Sequence, residues 1–174
     1  MDGGAGEARR GAGDMIVRQA GPADAAAMSA VLHPILTGWN SARSGDAETV
    51  LTRYIDDPDR LSCAVACEGE RILGFQSLKL ARAGNVYDLP AGWGIIGTYV
   101  AGDAGRRGIG RALFTETLAA ARRAGLAHID ATIGADNAQG LPYYSALGFQ
   151  TWRELDGAVG KRFDLSATEQ TEGT

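Results

Sequence analysis

Arg106-Arg107-Gly108-Ile109-Gly110-Arg111 is the stretch on which the reading of this chain turns. It follows an apolar, strand-like run from Ile95 to Val100 and opens an Ala- and Leu-rich stretch that runs to about Arg123. A strand, a glycine-rich turn and a helix start aim a set of backbone N–H groups at one point. The positive end of a helix dipole, roughly half an elementary charge, lies behind them. The segment therefore predicts a pyrophosphate cradle.

Working outward, Met15–Gln19 reads as a strand, and Gly21-Pro22-Ala23-Asp24 as a turn into a helix with Pro22 near its first position. His33-Pro34 is expected to end or kink that helix. A second helix is expected from about Asp46 to Ile55. Leu61–Cys67 and Arg71–Leu80 read as a hairpin closed at Glu68-Gly69-Glu70. Trp93–Val100 is the next strand, where Gly94 and Gly97 suggest a bulge or a close backbone approach. After the long helix come a strand from His128 to Ile133, a short helix within Asn137–Leu147, and strands to about Leu155 and over Lys161–Leu165. A meander feeding a strand–helix–strand crossover predicts an α/β (α+β) fold: a mixed sheet with helices on both faces.

The chain has 174 residues, 45% apolar and 22% charged, which suits one soluble domain with a sizeable core. Met1–Asp14 is read as a disordered N-terminal extension, with Met15 as an alternative start, and Ser166–Thr174 as a flexible tail, so the domain spans 15–165. A net charge of −4 argues against nucleic acid, and no apolar run reaches the ~20 residues of a membrane helix. Cys63 and Cys67 fit neither a redox pair nor a zinc half-site. They are expected to be buried free thiols in a cytoplasmic protein without a metal.

Three ligands suit a phosphate cradle. A Walker loop needs Lys-Ser or Lys-Thr after its second glycine, but Arg111-Ala112 follows Gly110. A dinucleotide fingerprint needs a third glycine where Leu113 stands, in a turn that opens the fold rather than follows a meander. The third fits: Val100-Ala101-Gly102-Asp103-Ala104-Gly105-Arg106-Arg107-Gly108-Ile109-Gly110-Arg111-Ala112-Leu113 resembles the acetyl-CoA loop of the GNAT superfamily of N-acetyltransferases. Gly105 stands where that family has Gln or Arg, and Arg106 and Arg107 supply charge beside it. Asn137-Ala138-Gln139-Gly140-Leu141-Pro142-Tyr143-Tyr144-Ser145-Ala146-Leu147-Gly148-Phe149 is similar to the family's Asn…Leu-Tyr…Leu-Gly-Phe segment, with Tyr143 in place of leucine and Gly140 in place of alanine. The early Trp39 region faintly resembles phosphinothricin-type acetyltransferases.

The resemblance implies a mostly antiparallel central sheet of six to seven strands and an N-acetyltransferase using acetyl-CoA. It implies transfer to a primary amine by direct attack in a ternary complex, with a small-molecule acceptor expected rather than a protein tail. It implies that Tyr99, Val100 and Ala101 meet the pantetheine and thioester through a bulged strand, with Gly97 giving the freedom to bulge. Arg106, Arg107, Gly108, Ile109, Gly110 and Arg111 would hold the pyrophosphate, and Asn137 the pantetheine arm. Tyr144 would give a proton to the departing thiolate, since a phenol with pKa near 10 stays protonated at neutral pH. Trp93–Val100 contains no carboxylate, so the base is open among Asp88, Glu48 and a water chain ordered by Thr98. Trp39, Asn40, Tyr54, Tyr87, Asp88, Trp93 and Thr98 are candidates for the acceptor pocket. An acyl-CoA-binding sensor or silent interaction module is the alternative, and a homodimer is left open.

Overall fold

The structure, a computed structural model, describes residues 14–104 and 107–165. The expected N-terminal extension (apart from Asp14) and tail, with Gly105 and Arg106, lie outside the described residues. Seven strands form one sheet: β1 (Ile16–Gln19), β2 (Arg60–Glu68), β3 (Arg71–Leu80), β4 (Gly94–Val100), β5 (His128–Gly134), β6 (Gln150–Leu155) and β7 (Ala158–Asp164). Their spatial order is β1-β2-β3-β4-β5-β7-β6, antiparallel except where β4 meets β5. That parallel pair needs a crossover, supplied by the long helix between its strands.

The helices are α1 (Ala25–Gly38), α2 (Ala47–Val50, continued by a π-helical turn over Leu51–Ile55), α3 (Ile109–Arg123) and α4 (Gly140–Leu147). Strand alternation sends β2 side chains to both faces. Cys63, Val65 and Cys67 pack with Met28 and Leu32 of α1, whereas Ala64 and Ala66 pack with Ile109 and Leu113 of α3. A third cluster joins Phe114 to Ile129, Ile133, Tyr144 and Phe149. The small residues of β2 let α3 approach on one face while the larger ones fill the other. Neither Cys63 nor Cys67 is in a disulfide, both are buried, and burial pushes the Cys63 thiol up to about 11.

Two local expectations differ from the structure. Pro34 does not end α1, which continues to Gly38. An interior proline costs about 3 kcal/mol, but the turn beyond it buries Leu36 and packs Trp39 against the core, which offsets the lost bond. β4 is not bulged at Gly97 either: its register with β3 runs unshifted from Gly94↔Leu80 to Val100↔Gly74. The glycines answer to packing. A Cβ on Gly94 would lie 2.8 Å from Leu126 and 2.9 Å from Leu78, and one on Gly97 3.3 Å from the Tyr99 hydroxyl.

The departure from regularity lies on the other edge of β4. It pairs with β5 only at Gly94↔Ile129 and Ile95↔Asp130, and beyond Ile95 the two strands part. The gap opens between Thr98 on β4 and the β5–α4 segment.

Candidate active site

Two cavities meet at this gap. One, of about 1010 Å³, runs past α1, the end of β4 and the start of α3. The other, of about 710 Å³, lies between β4, β5, the Tyr54 turn and the Tyr87 loop. Trp39, Thr98, Asp136, Asn137 and Tyr144 line both.

The α3 start is built by three differently constrained residues. Gly108 caps the helix in the left-handed region, φ 76°, and has no side chain to occupy the first N–H groups. Ile109 is buried against Ala64, Ala66, Leu73 and Leu113, which fixes the backbone at the cavity wall. Gly110 is demanded by a ring: an added Cβ would lie 2.5 Å from Tyr143 Cε1. Uncapped amides at a helix N-terminus, lining a roomy cavity beside Arg111, are a chemical fit to a pyrophosphate.

The arginines divide. Arg111 lines the larger cavity, and Arg71 from the start of β3 joins it, beside Asp103 with Nη2–Oδ1 2.5 Å. Arg107 is turned to the β2–β3 hairpin, where it pairs with Glu68, and it is not among the lining residues. The Arg107 hydrogen bond holds the Glu68 carboxyl below the usual range.

At the strand end, Ala101 N–H donates to Leu73 O at 2.8 Å, so that amide is committed to the sheet. Alternation turns the Val100 and Thr98 amides toward the gap. Val100 and Ala101 line the larger cavity, whereas the Tyr99 side chain lines only the smaller one. Tyr99 stacks there with Phe75, ring centroids 5.0 Å apart, and with Trp39 at 6.2 Å.

A buried hydrogen-bond chain joins the gap to the α3 start. Tyr144 Oη lies 2.7 Å from Thr98 Oγ1. Gln76 Nε2 donates to Thr98 Oγ1 and to Tyr143 Oη, both at 2.9 Å, and Tyr143 Oη donates to the Gly110 carbonyl at 2.8 Å. Gln76 is wholly buried, and its Oε1 has no hydrogen-bond partner among the described residues. Burial pushes the Tyr144 hydroxyl well above the ordinary phenol range, so it is protonated at neutral pH. Asn137 Oδ1 accepts from Gly140 N at 3.0 Å and shapes the entry to α4. Gly140 is closely packed there: an added Cβ would sit 2.6 Å from Asn137 Nδ2 and 2.9 Å from Ile133 Cγ2.

The acceptor-pocket candidates also divide. Trp39, Tyr54, Tyr87 and Thr98 line the smaller cavity. Asn40 and Asp88 line neither; they hold left-handed turn positions, φ 55° and 57°, which short polar side chains favour. Glu48 lines neither, and Trp93 stacks instead with His128 and Trp152, each at 4.9 Å. Sequence reasoning missed Arg43, Arg53, Lys79 and Asp136, the charged residues lining the smaller cavity. Only Asp136, adjacent to Asn137, was within reach of a local signal.

Residues 30–149 match the model of the acetyltransferase (GNAT) family. The chain belongs to that family. Solved structures share the fold at low sequence identity. The GCN5-related N-acetyltransferase from Kribbella flavida is 20% identical with a TM-score of 0.73, the match covering 86% of this chain and 97% of that one. The structure of yncA from Salmonella typhimurium with its cofactor acetyl-CoA is 21% identical with a TM-score of 0.70, covering 87% and 94%. The ribosomal-protein-alanine N-acetyltransferase from Brucella melitensis is 21% identical with a TM-score of 0.67, covering 86% and 99%. No curated protein matches the sequence. Membership makes this GNAT protein an acetyltransferase with a seven-stranded mixed sheet and helices on both faces. Among its described residues no helix is long and apolar enough to cross a membrane.

Proposed function

We propose that this GNAT protein transfers the acetyl group of acetyl-CoA to the primary amine of a small molecule, by direct attack within a ternary complex. The observation that carries the reading is the common wall of the two cavities. Donor and acceptor can enter from different sides and meet at Thr98, Asn137 and Tyr144.

Acetyl-CoA, when bound, supplies the thioester that the amine attacks. The protein's residues divide the remaining work. The first N–H groups of α3, from Gly108 to Arg111, hold the pyrophosphate, with Arg71 and Arg111 adding charge. The Val100 amide, turned into the gap, donates to the arm of the donor, and Asn137 flanks it. Tyr144 Oη holds a proton for the departing thiolate. Thr98 fixes that hydroxyl at 2.7 Å, and Gln76 fixes Thr98. General-acid help of this kind is worth about 10²–10⁴ in rate. β4 carries no carboxylate, and Asp136 is the carboxylate lining the acceptor side among the described residues.

Thiol release from acetyl-CoA with a panel of small amines, products identified by mass spectrometry, tests the reading. Amine-dependent release with acetylated product is expected. Hydrolysis alone, or binding of coenzyme A without transfer to any amine, would overturn it.

A further inference from the structure

The acceptor cavity is cationic, which is unexpected around a substrate that is itself an amine. Arg43, Arg53 and Lys79 line it against one carboxylate, Asp136, among the described residues. The whole chain carries a net charge of −4, so the positive character is local. Lys79 is already matched: Nζ lies 3.2 Å from Asp57 Oδ2 and 4.9 Å above the Tyr54 ring. Arg43 is not. It is half-buried, its Nη2 lies 3.4 Å from the Tyr99 hydroxyl, and it makes no ion pair with a carboxylate among the described residues. Arg53, on the π-helical turn, is exposed and likewise without a carboxylate partner there.

A half-buried guanidinium facing a cavity wants an anion. Its planar fork matches a carboxylate or phosphonate in two-point geometry. The Tyr54 and Tyr99 hydroxyls, 3.5 Å apart beside it, add fixed polar groups to the same wall. A plain alkylamine or a polycation would be repelled by the two arginines and would leave both unmatched. We propose that the acceptor is a primary amine that also carries an anionic oxygen group, and that Arg43 grips this group with Arg53 adding to the local field. The inference rests on the acetyl-transfer reading above and narrows its substrate to amino acids and their phosphonate counterparts.

Straight-chain ω-amino acids from glycine upward, each beside its own carboxamide, test the inference, with aminoalkylphosphonates as a second arm. With acetyl-CoA saturating, kcat/KM for the best acid should exceed that of its amide by about 10- to 100-fold, the worth of one charge-assisted contact. In Arg43→Gln the ratio should collapse toward one, and Arg43→Lys should retain part of it. The relative rates of carboxylate and phosphonate identify which anion the site takes. A ratio near one at every chain length and in both arms, or a ratio that survives in Arg43→Gln, would overturn the inference. If no amine is turned over, the acetyl-transfer reading fails. Calorimetric titration of the same pairs onto protein saturated with coenzyme A then decides this inference alone. Tighter binding of the acid, dependent on Arg43, sustains it; equal binding or none overturns it.

Discussion

Tyr143 and Gly110 are a matched pair: the tyrosine hydroxyl donates to the glycine carbonyl at 2.8 Å, and its ring fills the space a Cβ would take. The second glycine of the turn is therefore tied to a substitution thirty-odd residues away in sequence. Gly110→Ala should cost about 1–3 kcal/mol by overpacking and should weaken coenzyme A binding by displacing the α3 start. In a Tyr143→Leu background the same substitution should cost clearly less. Chemical denaturation of the four variants reads the interaction directly. Equal costs in the two backgrounds would show that the ring is not what requires glycine.

Tyr144→Phe removes the hydroxyl and keeps the ring that packs against Phe149, centroids 5.1 Å apart. The variant should fold normally and bind coenzyme A. Its kcat should fall about 10²–10⁴-fold if the hydroxyl is the general acid. Burial raises the Tyr144 pKa, so the proton is present at neutral pH and is lost only as pH rises above the ordinary phenol value of about 10. A fall in kcat between pH 7 and 9 should thus persist in Tyr144→Phe, because another group causes it. The pH profile of both proteins checks this.

What the sequence made legible was local. The glycine-rich turn is found where it was expected, at the start of α3, with Gly108 in the left-handed region at φ 76°. The return strand Arg71–Leu80 is found with the expected ends, because Gly69 fixes the hairpin. What was hidden depends on contacts between distant segments. α1 passes through Pro34 because burial of Leu36 outweighs a local penalty. Arg43, Arg53 and Lys79 converge on one cavity only once α2, β3 and β4 are assembled. Asn40 and Asp88 looked like pocket residues by type, yet their type serves a backbone conformation.

The arginines near the α3 start should differ in their effect on coenzyme A affinity. Arg71 and Arg111 line the larger cavity, whereas Arg107 is engaged by Glu68. Arg71→Ala or Arg111→Ala should raise Kd about tenfold, the scale of a charge-assisted contact to phosphate. Arg107→Ala should change it by much less. Both effects should shrink in high salt. Isothermal titration with coenzyme A measures them, and an Arg107→Ala loss equal to the others would assign that side chain to the ligand instead of the hairpin.

Asp24 gives the fold an acid-sensitive contact far from the site. It accepts from both Arg18 Nη groups, at 2.8 and 2.9 Å, and from Gly21 N–H at 2.8 Å. The Arg18 hydrogen bonds first, and then the Gly21 amide, hold its carboxyl below the usual range against the opposing effect of burial. A carboxyl depressed on folding stabilises the protein above its unfolded pKa, about 3.9, and the contribution is lost as pH falls through the lower folded value. Asp24→Asn should therefore lower Tm at pH 7, and by the same amount at pH 5.5. The gap should narrow progressively below about pH 4. The Arg18 side chain is 47% exposed, so the gap should be small and should shrink further with added salt. A gap that stayed constant down to pH 2 would mean that the asparagine acts through lost shape rather than lost charge.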